Sequence, residues 1–195
     1  MEILLVCLGV VGFAVVGLLL FGIGLYNSIQ RLVVLVDEAW SGIDVQLKKR
    51  FDLIPNLVET VKGYAKHESG IFEKVAQLRS GMMNTNSPEE LGKMEGEFRS
   101  TLKTLFAVAE NYPELKANEN FMKLQDSLQA IETELEGARR YYNGVVRDLN
   151  TQIVVFPNNI IAGILGLKKR EFFEVQDASE RQNVKVDFSD TNSAA

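Results

Sequence analysis

The chain has 195 residues, 21 basic and 26 acidic, and a net charge of −5. No basic stripe with interleaved aromatic residues occurs, so we exclude a nucleic-acid partner. The one cysteine, Cys7, excludes a disulfide within a single chain. This length favours one domain with room for an anchor and a tail.

Residues 3–25 form a continuous apolar run, and Glu2 is the only charged side chain before Tyr26. At about 1.5 Å rise per residue the run is long enough to cross a hydrocarbon core of roughly 30 Å. A cleaved signal peptide would have a basic leader and small residues at its cleavage site, and both features are missing. A buried core helix is rarely apolar on every face. The sequence therefore predicts a transmembrane anchor over residues 1–25.

The placement of positive charge predicts how the anchor is oriented. Arg31, Lys48, Lys49 and Arg50 follow the apolar run, and no basic residue precedes it. Under the positive-inside rule the N-terminus lies outside and the body lies in the cytoplasm. We expect a single-pass membrane protein.

The first helix of the body is predicted from apolar residues in steps of three and four. These residues are Ile29, Leu32, Val36, Ala39, Ile43 and Leu47. No Pro or Gly lies between Tyr26 and Trp40, so the anchor helix should continue into the body without a break. Pro55 then predicts either a kink or a turn, and both remain open. A second stripe follows Pro55 at Leu57, Val61, Tyr64, Ile71, Val75 and Leu78, interrupted by Glu68.

Two further helices are indicated by their caps. Ser87, Pro88 and Glu90 form a capping box, and Asn118 is a suitable N-cap. The third stripe contains Leu91, Met94, Phe98, Leu102, Leu105 and Ala109. The fourth contains Phe121, Leu124, Leu128, Ile131, Leu135, Ala138, Tyr142, Val145, Leu149, Ile153 and Phe156. We predict an all-α fold in which residues 26–157 form an elongated antiparallel four-helix bundle with coiled-coil-like packing.

Residues 158–174 are predicted to be an amphipathic C-terminal segment, followed by a mostly disordered tail over 175–195. The segment joins an apolar block to three basic residues and could either lie on lipid or close the end of the bundle. Its candidate membrane-surface or partner residues are Ile160, Ile161, Ile164, Leu165, Leu167, Lys168, Lys169 and Arg170.

No constellation of residues predicts catalysis. His67-Glu68 lacks the second histidine of the H-E-x-x-H zinc motif, because position 71 is Ile. No phosphate-binding loop or nucleophile elbow occurs. Glu132, Glu134 and Glu136 are predicted to lie on a solvated helix face. We therefore expect no catalytic residue, no metal site and no cofactor.

Several ordered segments resemble the LemA family. They lie at residues 26–27, 36–40, 44–47, 52–57, 61–64, 109–118, 138–143, 156–157 and 170–173. The similarity is nearly continuous from about residue 24 to residue 174. It implies a bacterial membrane protein with an N-terminal span and a helical-bundle domain, and it implies no reaction. Together with the predicted orientation, we therefore expect a single-pass protein of the bacterial cytoplasmic (inner) membrane. Magnetosome-membrane proteins with a LemA-type domain suggest a role in membrane organisation.

Two functional classes follow from these features. The first is a membrane-anchored, non-enzymatic scaffold that self-associates as a homo-oligomer and organises partners or the membrane surface. The alternative is an accessory subunit that modulates a membrane enzyme or protease and has a membrane-protein partner. The anchor contains no G-x-x-x-G motif, so we expect self-association to depend mainly on the bundle.

Overall fold

The chain is almost entirely helical in the computed structural model, which describes residues 1–85 and 87–174 and, at Val6, the main chain alone. Its helices are α1 (Glu2–Lys62), α2 (Ser69–Met83), α3 (Pro88–Ala109), α4 (Pro113–Lys116), α5 (Glu119–Val154) and α6 (Asn158–Ile164). Within the described ranges there is no strand. The predicted all-α class with a long apolar N-terminal helix is confirmed. The four-helix antiparallel form stays a prediction, and the predicted disordered tail lies outside the described residues.

Helix α1 has 61 residues, which corresponds to about 90 Å of helix. None of the described side chains in its most apolar 18-residue stretch is buried, whereas Ile29 is fully buried in the core of the body. The predicted continuation from the apolar run into the body is confirmed. Because one helix supplies both parts, the body is coupled to the apolar run without a flexible linker.

Pro55 lies inside α1, and the helix continues beyond it for two turns. Proline has no N–H, so the carbonyl of Phe51, four residues earlier, loses its helical partner. Arg79 on α2 supplies a replacement, because its Nε donates a hydrogen bond of 2.8 Å to the Phe51 oxygen. The chain turns instead at residues 63–68, so the stripe predicted after Pro55 is divided between α1 and α2.

Arg79→Leu should lower the free energy of unfolding by about 1–3 kcal/mol, because it leaves the partly buried Phe51 carbonyl without a donor. Pro55→Ala restores an N–H at that position, so it should recover most of this loss in the Arg79→Leu background. Urea unfolding followed by circular dichroism measures both effects. Equal losses with and without Pro55→Ala would show that Arg79 does not act through this carbonyl.

The core of the body lies between α1 and the long helix α5. Trp40 contacts Tyr142, Arg50 pairs with Glu132, and the Asn118 side chain hydrogen-bonds to Tyr64. Residue numbers therefore rise along α1 as they fall along α5. We call the end of the body that contains Ile29 and α6 the anchor end.

Helices α2 and α3 pack against each other and close one side of this core. The predicted N-caps of α3 and α5 are present: the Ser87 hydroxyl accepts a hydrogen bond from the Glu90 N–H, and the Asn118 side chain caps α5. The reciprocal bond of the predicted capping box is replaced, because the Glu90 carboxylate accepts from the Thr85 hydroxyl at 2.8 Å. Of the predicted α3 stripe, Met94 is half-buried and the other five residues are buried. The α5 stripe is likewise buried or half-buried as far as Ile153.

Candidate membrane-facing site

Helix α6 lies at the anchor end, where it contacts both α1 and α5. Helix α5 ends at Val154, and Pro157 precedes the first residue of α6. The end of α6 is a Schellman motif: Gly166 has a φ of +63°, and the Leu167 N–H donates to the Ala162 oxygen at 3.0 Å. A glycine suits this position because a side chain is strained at positive φ.

One face of this segment packs onto the body. Ile161, Leu165 and Leu167 are half-buried, and Ala162 beside them is buried. Ile161 and Leu167 pack against the core of the body, whereas Leu165 is half-buried outside that core. Because Ile161 and Leu167 contribute to the core, they cannot also insert into lipid without detaching α6.

The opposite face is apolar and exposed. Ile160 and Ile164 are one helical turn apart, and Ile164 is 78% exposed. Val154, Val155 and Phe156, at the junction of α5 and α6, are exposed as well. Phe156 was predicted to end the buried stripe of α5, and this is wrong: it is 79% exposed because the helix has already ended at Val154. We call these five residues the apolar face.

The three basic candidates follow the apolar face along the chain. Lys168 and Lys169 are exposed. Arg170 pairs with Asp37 of α1 at 3.4 Å, and both side chains are about half exposed, so solvent screens this pair strongly. The arrangement places an apolar surface and two lysines at the end of the body where the apolar part of α1 begins.

Residues 167–174, which we call the strap, run in extended form along α5. The Asn150 side chain accepts a hydrogen bond from the Arg170 N–H and donates one to the Arg170 carbonyl, at 2.8 and 2.9 Å. Asn143 makes the same pair of bonds to Phe173, at 2.9 and 3.0 Å. Each amide therefore binds one residue's main chain as a neighbouring β-strand would. The sequence reasoning missed both residues. The sequence feature that could have indicated them is a pair of asparagines seven residues apart, each directly after a residue of the apolar stripe of α5.

The end of the strap is held by an aromatic pocket. The Phe173 ring is buried, lies 6.2 Å from the Trp40 ring and has the Arg139 guanidinium 5.8 Å away. The Tyr142 hydroxyl donates to the Glu171 carbonyl at 2.9 Å, and burial raises the pKa of Tyr142. Gly92 on α3 allows the chain to pass, since a Cβ there would lie 2.1 Å from the Glu174 oxygen.

A network of buried charges lies further from the anchor end. Arg50 is 3% exposed and its Nη1 lies 2.5 Å from an oxygen of Glu95, which is fully buried. Arg50 Nη1 is also 3.3 Å from Glu132, which Arg99 contacts at 2.5 Å. The prediction of a solvated face is thus wrong for Glu132, because α3 covers it.

The pKa shifts follow this burial. Burial raises the pKa of Glu95 against the opposing influence of Arg50. Burial also acts to raise the pKa of Glu132, but Arg50 and Arg99 outweigh it and hold that pKa below its ordinary value. Burial lowers the pKa of Arg139. The network ties α1, α3 and α5 together, and two of its buried atoms, Glu95 Oε2 and Arg139 Nη1, have no hydrogen-bond partner among the described residues.

The apolar part of α1 meets the length and composition expected of a membrane span, and it is the one helix in the described part of the chain that does so. Of the candidate site residues, the structure brings Ile160 and Ile164 to one exposed face, packs Ile161 and Leu167 against the core and leaves Leu165 half-buried. The lysines stay exposed nearby.

The comparisons with known proteins agree with the resemblance in the sequence. The model of the LemA family matches residues 39–188. The chain is 28% identical over 172 residues to "Protein LemA" of Metamycoplasma hominis, covering 86% of this chain and 76% of that protein. It is 24% identical over 181 residues to "Magnetosome protein MamQ 2" of Paramagnetospirillum magneticum, and 21% identical to "Magnetosome protein MamQ" of Magnetospirillum gryphiswaldense. Each of these two matches covers 80% of this chain and 66% of the relative. Because the family model spans most of its length, the chain belongs to the LemA family.

Proposed function

We propose that the chain is a membrane-anchored scaffold that self-associates and organises the membrane surface or partners on it, without chemistry of its own. Residues 3–25 cross the bacterial cytoplasmic membrane, and the body stands in the cytoplasm as an antiparallel helical bundle. The basic residues that follow the span support this orientation. The names of the magnetosome relatives are consistent with a role in organising a cellular structure.

The observation that carries the proposal is the apolar face beside the base of α1. Helix α6 packs against α1, which enters the bilayer a few turns away, so the apolar face lies at the level of the headgroups. Helix α6 is too short to span, but its exposed side chains can enter the interface. Lys168 and Lys169 then meet anionic headgroups, worth on the order of 1 kcal/mol each.

A fluorescent probe in α6 tests this position. In a Cys7→Ala background, Ile164→Cys labelled with an environment-sensitive fluorophore should show blue-shifted emission in lipid discs, because the probe enters the interface. Lipids that carry quenchers in the headgroup region should quench it. The matched control is Met122→Cys, which is also exposed but lies at the other end of α5.

The control probe should keep the emission of a water-exposed fluorophore and resist the lipid quenchers. Lys168→Gln with Lys169→Gln should reduce quenching at position 164 in anionic discs and have little effect in zwitterionic ones. If both probes respond as if in water, the apolar face does not touch the membrane, and the surface role must be abandoned.

Self-association is assigned to the body. The anchor has no G-x-x-x-G motif, and Gly24 with Ser28 is its only pair of small residues four apart. Replacing residues 3–25 with an unrelated apolar helix should therefore leave the oligomer intact in detergent, as measured by light scattering after gel filtration. Conversion to monomers would assign assembly to the anchor.

A further inference from the structure

The strap shows how the body recognises an extended chain. All of its contacts described above, apart from the turn at Gly166, are made to side chains or surfaces of other elements, chiefly α5. It has no hydrogen-bond partner strand and is not part of a helix. Removing it from α5 would therefore break the amide contacts and empty the Phe173 pocket, but it would unwind no helix.

The spacing of the two asparagines matches an extended chain. Seven residues of α5 separate Asn143 from Asn150, a rise of about 10 Å, and three extended residues separate Arg170 from Phe173, also about 10 Å. The residue numbers run in opposite directions along the two segments. We call the surface formed by Asn143, Asn150, Tyr142 and Gly92 the groove. It binds the main chain of an extended segment and holds one aromatic side chain in a pocket.

We propose that copies of this chain exchange straps, so that the strap of one copy lies in the groove of its neighbour and joins the two bodies. This inference rests on the proposed self-association and names its interface. The occupant is a second copy because residues 167–174 are the segment known to fit the groove. An exchanged strap makes the same groove contacts as the intramolecular one, as in domain swapping, so the exchange costs only the hydrogen bonds of the turn at Gly166.

The geometry at the start of the strap permits the exchange. Gly166, at positive φ, separates α6 from the strap and acts as the hinge, because glycine changes backbone conformation at low cost. Residues 167–169 lie between this hinge and the first groove contact at Arg170, and they reach about 10 Å when extended, so the exchange requires two bodies that lie side by side at their anchor ends. Anchoring both copies in one bilayer raises their concentration relative to each other, so the exchanged form is more populated there than in solution.

Complementation between two damaged copies tests the exchange. The groove-defective chain carries Asn143→Leu and Asn150→Leu, which remove all four amide contacts. The strap-defective chain carries Phe173→Asp, and a second version ends after Gly166 in case the charged residue disturbs packing. Full-length chains with two different tags are co-expressed, extracted in detergent and purified through one tag. Gln129→Leu, at an exposed position on α5, is the matched control for the asparagine substitutions.

The exchange predicts that wild-type and Gln129→Leu pairs co-purify, and that pairs with the same defect in both copies lose most of the second tag. The mixed pair, with one groove-defective and one strap-defective chain, should recover the second tag. The intact strap of the first chain can then bind the intact groove of the second. Co-purification of every pair would overturn the exchange and leave self-association standing. A mixed pair that fails together with both same-defect pairs would show that the strap acts within one chain. Failure of the wild-type pair would reject self-association itself.

Discussion

Replacing Arg50 with methionine should lower the free energy of unfolding by about 3–5 kcal/mol, because it leaves the fully buried Glu95 carboxylate without its cation. The Glu132 carboxylate is destabilised less by the substitution, since Arg99 still contacts it. The loss should shrink as the pH falls, because Glu95, whose pKa burial already raises, becomes protonated and no longer carries an unpaired charge. Urea unfolding of the detergent-solubilised protein measures both effects.

The double variant Arg50→Met, Glu95→Met distinguishes the loss of the Arg50–Glu95 ion pair from the cost of leaving a buried carboxylate unpaired. Removing both partners leaves an apolar contact between α1 and α3, so most of the single variant's loss should disappear. Lys74→Met is the surface control, because it breaks the half-exposed Lys74–Glu97 pair and should cost less than about 1 kcal/mol. If the double variant is as unstable as Arg50→Met, the stabilisation comes from the arginine's packing on Phe98 and not from the charge pair.

Two arginines in the apolar part of α1 should remove the protein from the membrane. Phe13→Arg and Val16→Arg lie near the centre of residues 3–25, where each arginine costs about 2.5–3.5 kcal/mol of insertion free energy. Together they should shift most of the protein out of the alkali-washed membrane fraction, as measured by immunoblotting. Each arginine would face the hydrocarbon, because no other helix among the described residues covers this part of α1.

The control is Val34→Arg, an exposed position of the same helix outside the apolar run. This variant should stay in the membrane pellet at the wild-type level. Alkali washing removes proteins held only by surface contacts, so retention of the doubly substituted chain would show that residues 3–25 are not the anchor.

The sequence predicted those parts of the fold that depend on local pattern. The helical stripes, the Ser87 and Asn118 caps and the uninterrupted start of α1 each follow from residues within a few turns of one another. The course of the chain after Pro55 could not be predicted this way. It depends on Arg79, which is 28 residues beyond Phe51 and pairs with the Phe51 carbonyl that the proline leaves without a partner.

The candidate site was predicted only in part, for a similar reason. Composition marked residues 160–170 as apolar and basic, but the division into a packed face and an exposed face depends on how α6 lies against α1 and α5. The spacing of apolar residues along α5 could not predict the groove, because Asn143 and Asn150 bind main-chain atoms about 20 to 30 residues away. The burial of Glu132 likewise depends on α3, which no pattern on α5 encodes.

The copy number of the full-length protein in lipid tests the proposed scaffold most directly. The protein is extracted with its surrounding lipid into polymer-bounded discs, and single-particle mass measurement together with peptide mass spectrometry gives the content of each disc. The account predicts discs with two or more copies of this chain and no other protein in fixed proportion. Discs with one copy and a different membrane protein at constant stoichiometry would contradict it and identify the chain as an accessory subunit.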